Sequence, residues 1–149
     1  MTRPSEIKPR EDSTPGTPYA AFAIGKDLGA TRFTITPEIV EEYFDAVDAD
    51  RSLYRVGGRQ AAAPNVLLPY MTCAIYRTYP PIQGIVMAEV DMEFHHPVWA
   101  DEATEVVATG RVVDKFEKKG RRYVRWQEEF RRGDGQLLAR LDNTFHVPE

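Results

Sequence analysis

The stretch "NVLLPYMTCAIYRTY", residues 65–79, decides how this chain folds. It carries no charge before Arg77 and is apolar on nearly every side, the pattern of a helix surrounded by protein. Two readings of its start stay open. With Asn65 as N-cap, Pro69 lacks the N–H for the first intrahelical bond; alternatively the helix begins at Pro69 itself. Either way, the rest of the chain must supply apolar surface to enclose it.

That surface comes downstream. From residue 84 onward the apolar period is two. In "EVVATGRVVDKF" Val106, Ala108, Gly110, Val112 and Phe116 share one face. In "RYVRWQEEF" Val124, Trp126 and Phe130 share a face, and Tyr123, Arg125, Gln127 and Glu129 take the other. In "QLLARLDNTFHV" Leu137, Ala139, Leu141, Phe145 and Val147 line up. Such alternation predicts antiparallel strands with one buried and one wetter face. "EKKGRR" and "RRGDGQ" are glycine-containing hairpin turns, and "GIVMAEVDMEFHHPV" is an earlier strand stopped by Pro97.

Upstream, "TPEIVEEYFDAV" is an amphipathic helix with Thr36 as N-cap and Pro37 at its first position, where a missing N–H has no partner to lose. Ile39, Val40, Tyr43, Phe44 and Val47 form its apolar face. "YAAFAIGKDLG" predicts a strand and turn. Residues 1–17, with prolines at positions 4, 9 and 15, have the composition of a flexible arm, leaving 18–149 as a single domain. The architecture expected is α+β: a curled antiparallel sheet wrapped around a central apolar helix, with edge strands open to a second subunit.

Bulk properties restrict the function. A formal charge of −4 disfavours general nucleic-acid binding. No apolar run approaches the roughly 20 residues that cross a bilayer, and the amino terminus lacks the apolar core of a signal peptide, so a cytoplasmic protein is expected. Cys73 alone forms no internal disulfide. No Cys/His spacing suits a metal and no glycine-rich phosphate loop follows a strand, so neither metal nor cofactor is expected. The cluster Lys118, Lys119, Arg121, Arg122 and Arg125 is either a solvated face or a phosphate-docking surface.

The order and spacing of three pieces resemble the MaoC-like hot-dog family of (R)-specific enoyl-thioester hydratases and 3-hydroxyacyl-thioester dehydratases. They are "ITPEIVEEYFDAVDADRSLYR", "AAAPNVLLPYM" and "MEFHHPVWADEATEVVATGRVVDKFEKKGRRYV", and the resemblance runs from about Phe33 to Val147. It implies a hot-dog fold and a tunnel at a dimer interface for the acyl-pantetheine arm of acyl-CoA or acyl carrier protein. It also implies a homodimer, or a heterodimer with another hot-dog chain. Family members typically use an Asp and a His from a loop of the form G-D-x-N-P-x-H, because proton transfer at the α-carbon and handling of water need two groups at one substrate.

Here that loop falls on Asp48 to Tyr54. Ala49 stands at the Asp position and Tyr54 at the His position, and the Asn-Pro pair is absent. Asp48 and Asp50 flank the lost carboxylate, so Asp48, Asp50 and Tyr54 are the candidate acid/base set; each of the three also has a plain turn or packing reading. A phenol ionises near pH ~10 and serves better as a hydrogen-bond donor than as a base. For the thioester, the resemblance points to the backbone N–H groups of Asn65 and Val66 at the helix start, and of the two adjacent histidines His96, next to Pro97, is the candidate to face the pocket. Adjacent His95 and His96 on a strand point to opposite faces. Three functions compete: a hydro-lyase with a rearranged acid/base set, a silent subunit that binds acyl thioester or pairs with an active partner, and a thioesterase. The last ranks lowest, because residues 65–78 hold no Asp or Glu.

Overall fold

The computed structural model describes residues 3–7 and 15–148. Five strands build one antiparallel sheet: β1 (Asp27–Ile35), β4 (Val86–Phe94), β5 (Thr104–Lys118), β6 (Arg121–Arg132) and β7 (Leu137–Val147). Their spatial order is β1-β5-β6-β7-β4, which leaves β1 and β4 as edges. A small hairpin, β2 (Arg55–Val56) and β3 (Arg59–Gln60), stands apart. Its turn residues Gly57 and Gly58 have φ of 57° and 80°, the two positive values a type I′ turn demands.

Helix α1 (Pro37–Ala46) forms where the sequence places it. The Thr36 side chain accepts a hydrogen bond from the Ile39 N–H at 3.3 Å, and Ile39, Val40 and Phe44 are buried. Val47 departs from the apolar face: it is the C-cap and lies exposed. The segment "YAAFAIGKDLG" also differs. Residues Tyr19–Ala21 make a 3₁₀ turn and the strand starts only at Asp27. At Phe22 and Ala23 side chains serve as partners, the Ala23 N–H donating to the Tyr79 hydroxyl and Lys115 Nζ to the Phe22 carbonyl, while Gly25 and Lys26 already exchange backbone bonds with Val112.

The central segment packs one side into the protein and leaves Pro64, Asn65, Pro69 and Arg77 exposed, and it is not one helix. Pro64–Tyr70 winds as a 3₁₀ helix with Pro69 inside it, and α2 (Cys73–Thr78) follows as a short α-helix. Proline cannot donate the i→i−4 bond and its ring crowds the preceding turn, so the α-helix waits until both prolines are passed. Neither start considered for the sequence, at Asn65 or at Pro69, is the observed one. The apolar content is nonetheless buried. Val66, Leu67, Tyr70 and Cys73 join a core around Phe33, Phe44, Phe130 and Leu138, while Ala74 and Ile75 join a second around Phe22, Trp126 and Phe145. Phe33 of β1 stacks on Tyr70 with centroids 4.0 Å apart.

Of the expected arm 1–17, residues 1, 2 and 8–14 lie outside the described residues. Two of those described are buried: Ile7 in the first core, and Thr17, whose N–H donates to the Pro80 carbonyl at 2.9 Å, while Ser5, Glu6 and Pro15 are exposed.

Strand faces follow the two-residue period except where the register slips. At the start of β7 an extra residue lies between the partners of Phe130 and Arg131, so Leu138 is fully buried and Leu137, expected on the core face, is only half-buried. Val124, Trp126 and Phe130 are fully buried on β6. On β5 the register shifts between Val112 and Asp114, so that Lys115 faces Val124 and Phe116 faces Tyr123. A one-residue bulge moves every later side chain to the other face. Phe116 therefore leaves the face it was expected to share with Val112. Glu128 shares the buried face with Trp126 and is 1% exposed. Among the described residues, its carboxylate oxygens, the Trp126 indole N–H and the Asn143 amide have no hydrogen-bond partner. Burial pushes the Glu128 carboxyl well above the usual range, only partly offset by the nearby indole.

Candidate functional site

Three short segments converge on a concavity of about 280 Å³. They are residues 53–56 after α1, residues 61–64 with Leu67 at the start of the central segment, and residues 94–98 at the end of β4. Backbone bonds fix them together. The Ala62 N–H donates to the Val98 carbonyl at 2.8 Å, and the Ala61 N–H to the Tyr54 carbonyl at 2.9 Å. Gln60 Nε2 donates to the same Tyr54 carbonyl and to that of Arg51. Arg59 anchors the small hairpin to the 99–101 stretch, pairing with Asp101 at 2.9 Å and lying over the Trp99 ring at 4.4 Å. The walls are mainly apolar, supplied by Leu53, Val56, the three alanines, Phe94 and Val98, with Tyr54 and two histidines among them.

The decisive polar contact belongs to His96. Its Nδ1 lies 2.8 Å from the Leu137 carbonyl oxygen. A carbonyl only accepts, so Nδ1 carries the hydrogen, and in the neutral ring Nε2 keeps its lone pair. His96 also borders the concavity, as does His95. The two were expected on opposite faces of a strand. Instead β4 ends at Phe94, and the N–H groups of both residues turn toward the Leu138 carbonyl, at 2.9 and 3.4 Å. Strand alternation no longer applies there.

The remaining sequence candidates are placed as follows. Tyr54 borders the concavity, with its ring 5.6 Å from that of Phe44. Asp48 and Asp50 do not line it. Asp48 terminates α1: its φ is 50°, its N–H donates to the Asp45 carbonyl, and the Ala49 N–H donates to the Phe44 carbonyl. That pair of bonds is a Schellman motif, in which the residue after the C-cap adopts the left-handed conformation. The Asp50 carboxylate caps the turn Arg51–Leu53, accepting from the Ser52 N–H at 3.0 Å and its hydroxyl at 2.7 Å. The two bonds to Ser52 hold it below the usual carboxylate range.

Asn65 is exposed and Val66 buried, and neither lines the concavity. The Val66 N–H already donates to the Ala63 carbonyl at 2.9 Å. One residue earlier, Ala63 does line it, and among the described residues its own N–H meets no acceptor. The sequence gives little warning of this, because the donor depends on where a proline-started 3₁₀ turn begins. No group of three metal-ligating side chains occurs among the described residues.

No protein-family model matches the sequence, and no curated protein matches it. Solved structures do match in fold. The (R)-hydratase PhaJ1 of Pseudomonas aeruginosa superposes with a TM-score of 0.67 at 16% identity, covering 90% of this chain and 87% of that one. A MaoC-like dehydratase from Rhodospirillum rubrum gives 0.67 at 18% identity, with 86% and 94% covered. The C-terminally truncated HadBC (3R-hydroxyacyl-ACP dehydratase) complex of Mycobacterium tuberculosis gives 0.61 at 21% identity, with 78% and 90% covered. The chain has the hot-dog fold. In this hot-dog fold the concavity lies at the leading end of the central segment, beside the edge strand β4. No helix among the described residues is long and apolar enough to cross a membrane.

Proposed function

We propose that this chain is a MaoC-like hot-dog protein that binds an acyl thioester in the concavity and interconverts enoyl and 3-hydroxyacyl forms there. The observation that carries the reading is the His96 Nδ1–Leu137 contact, which leaves a basic nitrogen at an apolar-walled site. In hydration, Nε2 takes a proton from water as its oxygen attacks Cβ of the enoyl group. The electron pair moves onto the thioester oxygen, where the Ala63 N–H is the available donor. The imidazolium then returns the proton to Cα, so one group serves as base and then acid. Tyr54 contributes a phenol to the same wall. Neither Asp48 nor Asp50 lines the concavity, and the Asp50 carboxylate is taken up by Ser52, so the acid/base work falls to His96 in place of the loop carboxylates. Enoyl thioesters of graded chain length, on coenzyme A and on carrier protein, test it: turnover removes the enone absorbance, and His96→Gln abolishes that loss.

A second reading rests on a different observation. Among the described residues the concavity has no carboxylate, and the edge strand beside it exposes Val86 and Phe94. These features suit a silent subunit that completes the tunnel of an active hot-dog partner, and one of the similar folds is itself a two-component complex. Saturable binding of a non-hydrolysable acyl thioester without turnover of any enoyl substrate would select this reading.

A further inference from the structure

Far from the concavity, a ladder of rings crosses three strands on the outer face of the sheet. Phe116 of β5 stacks on Tyr123 of β6 with centroids 5.1 Å apart and planes 16° from parallel. Tyr123 meets the His146 ring of β7 edge-on at 5.7 Å. The β5 bulge creates this ladder, because it turns Phe116 out of the core to stand opposite Tyr123. All three rings are half-buried, so burial alone does not account for collecting them on a wet face.

Cations surround them. Lys118 and Arg121 are paired across the hairpin and, two residues from Phe116 and Tyr123, share the rings' face. Lys119 (φ 53°) and Gly120 (φ 72°) form the tight turn between them. Neighbouring Arg122 and Arg125 are neutralised by Glu117 and Asp142. Lys118, Lys119 and Arg121 form no ion pair among the described residues. Rings and cations border a hollow of about 460 Å³, with Thr144 and a single flanking carboxylate, Glu89, among its described lining.

We propose that this face binds the base-and-phosphate end of a nucleotide. The base stacks on the Phe116–Tyr123 platform, and Lys118, Lys119 and Arg121 hold the phosphates. Solvated cations alone would need no rings, and a packing pair alone would need no uncompensated charge. A flat π surface beside free cations is the arrangement that takes a base together with its phosphates. The chain's formal charge of −4 and the Glu89 carboxylate favour a single nucleotide over a nucleic-acid strand. The nucleotide is either free or the nucleotide end of coenzyme A, and the second source rests on the acyl-thioester reading.

The probe is adenosine 3′,5′-bisphosphate, titrated into the full chain by calorimetry. Saturable binding is expected, weakened about tenfold or more both by Lys118→Ala with Arg121→Ala and by Tyr123→Leu, with circular dichroism unchanged. Adenosine and inorganic pyrophosphate should each bind more weakly than the bisphosphate. Lack of saturable binding, indifference to both variants, or pyrophosphate binding as tight as the bisphosphate would overturn the assignment. Coenzyme A weakened by the same variants identifies the carrier as the source; coenzyme A unaffected, beside a sensitive bisphosphate, identifies the free nucleotide. The probe has no thioester, so absence of enoyl turnover bears on the concavity and leaves this result untouched.

Discussion

His96 Nδ1 sits 2.8 Å from the main-chain oxygen of Leu137, a residue 41 positions away that opens strand β7. The contact joins the end of the edge strand to its neighbour and assigns the ring's tautomer at once. If Nε2 moves the proton, His96→Gln should lower kcat for enoyl-thioester hydration by about 100-fold or more, with little change in thermal stability. Equal turnover in the variant would remove His96 from the chemistry.

Asp48 occupies the left-handed position that ends α1, where glycine is the preferred residue. Asp48→Gly should leave stability unchanged or raise it by up to about 1 kcal/mol, and leave turnover intact. Chemical denaturation alongside the enone assay checks both. A large loss of turnover at unchanged stability would return this carboxylate to the active set.

Glu128 is buried without a partner among the described residues, and its carboxyl titrates well above the usual range. A raised folded value means that the folded chain binds the proton more tightly than the unfolded chain. The associated stability is complete below the ordinary carboxylate value, near pH ~4.3, and is lost as pH rises toward the raised one, at up to about 1.4 kcal/mol per pH unit. Urea unfolding at pH 5 and pH 8 should therefore show a steeper loss in the native chain than in Glu128→Gln. Parallel curves would mean that Glu128 is stabilised as a carboxylate.

Gly110 of β5 stands opposite Glu128 of β6. A Cβ there would stand 2.8 Å from the Gln127 carbonyl oxygen and 3.4 Å from the Leu28 side chain. The backbone atom has no rotamer with which to retreat, so Gly110→Ala should cost about 1–3 kcal/mol, read as a lowered denaturation midpoint.

Edge strand β4 exposes Val86 at 55% and Phe94 at 44%. An open ladder edge bearing apolar side chains is a template for another strand. Analytical ultracentrifugation should find the chain associated, and Val86→Glu should shift it toward monomer. An unassociated native chain at high concentration would rule out pairing through this edge.

The sequence by itself determined what depends on local pattern. The Thr36-Pro37 start of α1, the two-residue period of β6 and of β7 from Ala139 onward, and the burial of Val66, Leu67, Tyr70, Ala74 and Ile75 all follow from side chains read against a fixed repeat. So does the resemblance that led to the hot-dog fold. Tertiary structure alone decided the rest, because each such feature turns on a break in a repeat. Two prolines shortened α2 and moved the free N–H to Ala63. The end of β4 at Phe94 brought both histidines to one concavity. A single extra residue between Val112 and Asp114 turned Phe116 outward onto Tyr123. Periodicity shows which face a residue takes only while the repeat is unbroken. Where it breaks, the backbone partners across the fold set the direction, and those partners are far away in sequence.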